Sequence, residues 1–120
     1  MGYGAYAEIQ KATETPRDLE SRAISHITHQ LKSANAPDAN PLDRIRALNG
    51  NMRLWSLLIE DLSGENNALP EALKARYISL GLFAHRASQA ALSSRVDLSG
   101  LIRINTDVLD ALNQQRMANT

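Results

Sequence analysis

His26 and His29 stand three residues apart, a spacing at which two imidazoles on one helix can meet a single metal ion. A structural zinc takes four protein ligands, no third follows at helical spacing, and His85 is far along the chain. Both histidines lie off the apolar stripe and read as members of a polar face. Paired carboxylates do acid–base work when they face each other in a dry cleft. Glu60 and Asp61 instead end a helix among polar residues, and Glu65 falls in a loop. Ser93, Ser94 and Ser99 have no glycine elbow to expose a nucleophile. Gly2 and Gly4 follow no strand, so they do not make a phosphate cradle. Arg44, Arg46 and Arg53 lack interleaved aromatics, and Glu60 and Asp61 interrupt any basic stripe. No catalytic residue, cofactor or metal is expected, and the chain reads as a binding protein rather than an enzyme.

The totals agree with that reading. The 120 residues hold 13 basic and 13 acidic side chains, so the excess of positive charge that phosphate binding wants is missing. Direct contact with nucleic acid is therefore not expected. The absence of cysteine removes disulfides, thiol catalysis and cysteine-ligated zinc, and is compatible with a cytoplasmic location. No apolar run approaches the roughly 18 residues of a membrane helix, and no signal peptide is expected from the opening residues. A single domain over residues 1–120 is expected, with its core between about 3 and 113 and a polar tail over 114–120.

The hydrophobic period is helical nearly throughout. A first helix with a weak stripe is expected from about Tyr3 to Thr13, turning Tyr6 and Ile9 inward. Thr15-Pro16-Arg17-Asp18 reads as the next helix start: Thr15 caps, Pro16 wastes no donor in the first turn, and Asp18 supplies a capping carboxylate. Arg17 and Glu20 make a helix-surface pair or a contact that sets how this helix crosses a neighbour. Leu19, Ala23, Ile24, Ile27, Leu31 and Ala34 form its stripe. Asn40-Pro41 repeats the start chemistry for a third helix ending near Leu62. Pro70 lies in the first turn of a fourth, running to about Ser93, and Asp97 caps a fifth. On that last helix Leu98, Leu101, Ile104, Asn105, Val108 and Leu112 share a face. Short connections favour antiparallel neighbours, so the expected fold is an all-α antiparallel bundle of about five helices.

Two of these helices carry more apolar residues than one docking face needs. At about 100° per residue, Ile45, Leu48, Met52, Trp55, Ile59 and Leu62 share one side of the third helix, with Leu54, Leu57 and Leu58 behind. On the fourth, Ala75, Ile78 and Leu82 lie opposite a stripe containing Leu69, Leu73, Tyr77, Leu80, Ala84, Ala87 and Ala91. Trp55, the only tryptophan, reads as a core anchor rather than a binding hot spot. For Leu54, Leu57, Leu58, Ile78 and Leu82 two arrangements stay open. They are core covered by the first and fifth helices, or they line a groove for a partner's amphipathic helix.

These words resemble the bacterial flagellar biosynthesis regulator family FlaF. The resemblance rests on Tyr6-Ala7, Thr15-Pro16-Arg17-Asp18-Leu19-Glu20, Asn51-Met52-Arg53-Leu54-Trp55, Leu69-Pro70 with Leu73, and Ile78-Ser79-Leu80 through Phe83 and Arg86. They fall in order over all but the C-terminal tail. Gly2 and Gly4 make an unusual opening, and Gly81 and Ala84 lighten the fourth helix. The resemblance implies a small cytoplasmic protein needed for flagellin production and export. It would act with the flagellin-translation regulator FlbT and bind flagellin as a secretion chaperone. Flagellin's terminal amphipathic helix is then the expected partner, and the other implied reading is post-transcriptional regulation of flagellin through a protein partner or its mRNA.

Overall fold

The computed structural model describes the backbone of residues 16–118 and the side chains of residues 18–114. The described residues fold into four helices and no strand: α1 (Pro16–Ala34), α2 (Pro41–Ser63), α3 (Glu71–Ala91) and α4 (Ser99–Ala118). The first of the five expected helices, over Tyr3–Thr13, lies outside the described residues, as do Thr15 and the side chain of Arg17. No helix among the described residues is long and apolar enough to cross a membrane.

Local chemistry sets the helix starts. Asn40 is extended (φ −66°, ψ 130°) and its Oδ1 accepts the Leu42 amide at 2.9 Å, with Pro41 following in the first turn. Asp97 Oδ1 accepts the Ser99 amide at 3.1 Å and the Ser99 hydroxyl at 2.8 Å. The same oxygen accepts Asn35 Nδ2 at 2.9 Å, while Asn35 Oδ1 takes the Leu98 amide, tying the end of α1 to the start of α4. The hydrogen bonds from the Asn35 side chain, then from the Ser99 hydroxyl and amide, hold the Asp97 carboxyl below its ordinary value of 3.8. Arg44 at the start of α2 donates to the Ser94 and Val96 carbonyls at 3.2 and 2.7 Å, so three elements meet at this end.

Pro70 stands immediately before α3 rather than in its first turn; its ψ of 144° is not helical, and its carbonyl accepts the Lys74 amide at 3.0 Å. The helix also stops at Ala91, two residues short of the expected end. Leu92, Ser93 and Ser94 donate to carbonyls three residues back, and both serine hydroxyls bond to the Ala90 carbonyl, drawing the backbone out of the α pattern.

Each of α1 and α3 packs against both α2 and α4. Gly50 of α2 sits against Ile27 and Gln30 of α1, and Gly81 of α3 sits against Trp55 and Ile59 of α2. One continuous core results, built from Ile24, Leu31, Leu48, Trp55, Leu58, Tyr77, Leu98 and Val108 among others. On α1 the expected stripe is displaced: Leu19 and Ala23 are exposed, while Ser21 and Thr28 are buried. Ile45 is likewise 41% exposed, not inward. The buried arc of α2 runs through Ala47, Leu48, Asn51, Leu54, Trp55, Leu58 and Leu62, because α2 is gripped from both sides, by α1 and α3.

Polar groups cross the middle of this core. Trp55 Nε1 donates to Asn105 Oδ1, Asn105 Nδ2 to Asn51 Oδ1 and Asn51 Nδ2 to Ser88 Oγ, each at 2.9 Å. Ser88 Oγ then donates to the Ala84 carbonyl at 2.7 Å. All four side chains are fully buried, and the chain of bonds links α2, α3 and α4.

Gly81 makes the close approach of α3 possible. A Cβ there would lie 2.6 Å from Cε3 of Trp55 and 3.0 Å from two carbons of Ile59. Alanine would gain about 1 kcal/mol in helix propensity, but overpacking a fully buried ring costs about 1–3 kcal/mol. At 2.6 Å the upper end applies. Gly81→Ala should therefore lower stability by roughly 2 kcal/mol, read as a shifted urea midpoint at unchanged slope. An unchanged or raised midpoint would show that Trp55 can yield.

Candidate protein-binding seam

The five residues considered for a groove do not form one. Leu54 and Leu58 belong to the core. Ile78 is half-buried and packs against that core. Leu57 and Leu82 are exposed, at 59% and 45%, but they do not meet between α2 and α3. Leu57 stands between Trp55 and Ile59, the residues that touch α3 at Gly81, and so points about 160° away from both. The second apolar side of α2 is thus mostly core, with Leu57 isolated outside it. Trp55 lies at the centre of the core, and Pro70 precedes α3.

The other chemistry-bearing residues stay dispersed. His26 and His29 are exposed on α1, and Glu60, Asp61 and Arg53 on α2. Asp61 accepts Asn67 Nδ2 at 3.1 Å, a loop contact. Arg44 is occupied by backbone carbonyls, and Arg46 lies 3.9 Å from Asp43. Among the described residues no three His, Asp or Glu side chains gather as metal ligands would.

The apolar surface that does gather lies along α3 and α4. Their seam is the least closely packed of the four neighbouring pairs. A cleft of about 370 Å³ runs along it, lined by Arg76, Tyr77, Ser79 and Leu80 on α3 and by Ile104, Asp107, Val108 and Ala111 on α4. Tyr77 and Val108 form its buried floor, and Leu80, Ile104 and Ala111 are half-buried walls resting on the core. Phe83 follows Leu80 by three residues and Arg76 by seven, which places it on the same side of α3. It is 61% exposed, more than any other large apolar residue described. An exposed aromatic beside half-buried aliphatics is an apolar surface of the kind that can anchor a protein partner.

Sequence reasoning placed Leu73, Leu80 and Ala87 on the stripe of this helix, but the half-burial of all three could not be read there. In the sequence Phe83 carries only part of the family resemblance. Its position one turn beyond Leu80, outside the core arc, was the available signal.

No curated protein and no solved structure matches the chain. The family model described as "Flagellar protein FlaF" matches residues 3–112, nearly the whole length. This chain, whose described residues form helices and no strand, belongs to the FlaF family of flagellar proteins.

Proposed function

We propose that this protein is a cytoplasmic chaperone and regulator of flagellin production and export, and that it holds an amphipathic terminal helix of flagellin in the α3–α4 seam. The observation that carries the reading is the exposed Phe83, one turn along α3 from Leu80, on the side of the helix that borders a half-buried apolar trough. Membership of a flagellar family supports the choice of partner. An amphipathic helix in a groove needs apolar anchors on two walls and no chemistry, which suits a protein that is not an enzyme. The bundle is read as antiparallel between neighbours. In support, Asn51 and Trp55 of α2 meet Ser88 and Gly81 of α3 in reversed order, as residues 27 and 34 of α1 meet 50 and 47 of α2.

Phe83→Asp should reduce affinity for flagellin at least tenfold, which requires only about 1.4 kcal/mol. Its exposure means that melting should hardly change. Ile104→Asp, tested with a melting control because Ile104 touches the core, should act in the same direction. Calorimetric titration of flagellin checks both. Full affinity in a folded Phe83→Asp variant would remove the seam as the docking site. If flagellin did not bind at all, but flagellin mRNA bound with steep salt dependence, regulation through the message would replace chaperoning.

A further inference from the structure

The two walls of the seam carry opposite charges. Arg76 stands on α3 and Asp107 on α4, both exposed and both lining the same short stretch of cleft. Among the described residues neither makes an ion pair or a side-chain hydrogen bond, with each other or with anything else. Two unlike charges bordering one apolar trough, and left unspent by the fold, are what a selective rim requires.

A helix lying in such a trough turns its apolar stripe down and one polar flank to each wall, as the flanking positions of a coiled coil do. Turning that helix end for end keeps the stripe down but exchanges the flanks. We infer that the seam selects an amphipathic helix with one acidic and one basic flank, and that Arg76 and Asp107 set the direction in which it lies. The acidic flank meets Arg76 and the basic flank meets Asp107. A helix with like charges on both flanks always places one against a wall of its own sign. This rests on the seam being the docking site proposed above, and deepens it from where a partner binds to which helix binds and how.

The probes are synthetic helical peptides of about three heptads with one leucine stripe. One carries Glu on one flank and Lys on the other, its mirror exchanges the two flanks, and two controls carry Glu or Lys on both. The mixed peptides should bind the full chain roughly three- to tenfold tighter than either control at low salt. The advantage should fade in about 1 M salt, where such exposed charges are screened. A nitroxide on the peptide's N-terminus should broaden amide signals near Leu73 for one mixed peptide and near Ala87 for its mirror. The double charge reversal Arg76→Asp with Asp107→Arg should exchange these two patterns. Equal affinities for mixed and uniform peptides, or broadening at both ends by each, would overturn the charge reading while leaving the seam in place. If no peptide bound and Phe83→Asp left flagellin affinity unchanged, the rim and the seam would fall together.

Discussion

Replacing Trp55 with alanine should lower the unfolding free energy by about 3–5 kcal/mol. The indole is fully buried among three helices, and alanine removes most of that volume from a site bordered by Gly81, Leu58, Tyr77 and Val108. Gly81 presents main chain to the ring, so α3 would have to move bodily to fill the space. The loss is a large share of the roughly 5–15 kcal/mol that holds a domain of this kind. Trp55→Phe keeps much of the ring but leaves Asn105 Oδ1 without its indole donor, and should cost less than alanine. A second comparison isolates the contact. In the Trp55→Ala background Gly81→Ala should cost little or become stabilising, because the new methyl enters vacated space. Urea unfolding of the four chains measures this coupling. Strict additivity would mean that residues 55 and 81 do not share the space the geometry assigns them.

Asn105→Ala should cost about 2–4 kcal/mol, although it removes only a small polar side chain. The mutation strands two buried groups at once, the Trp55 indole N–H and the Asn51 side-chain carbonyl. Neither can reach water, since both residues are fully buried, and an unpaired buried polar group loses its hydration with nothing in return. Asn51→Ala breaks the same chain from the other side, depriving Asn105 Nδ2 of its acceptor and Ser88 Oγ of its donor. The double variant should therefore be less destabilised than the sum of the singles, by about 0.5–3 kcal/mol. Thermal or denaturant unfolding decides it. A single Asn105→Ala variant as stable as the parent would show that water replaces the amide, and the polar crossing would then have no part in aligning α2 with α4.

The helical character of the described residues, the starts of α2 and α4, and the family were legible in the amino-acid sequence because each rests on neighbours along the chain. Asn40 and Asp97 cap from two residues away, and Pro41 restricts its own backbone. The matching words, from Tyr6 to Arg86, fall in order within residues 3–112, which the family model matches. The face that each helix buries was decided elsewhere. α2 lies between two neighbours, so its core arc is centred between the stripes read from periodicity, drawing Leu54 and Leu58 inward and leaving Ile45 and Leu57 outside. Asn51 can be buried because Ser88 and Asn105 satisfy its amide, and these partners lie 37 and 54 positions away, beyond the reach of local pattern. The missing Cβ of Gly81 became informative only once the Trp55 ring was beside it. The open seam likewise depends on how far α3 and α4 stand apart, a distance fixed by the packing of both against α2 and α1 rather than by any residue on the seam itself.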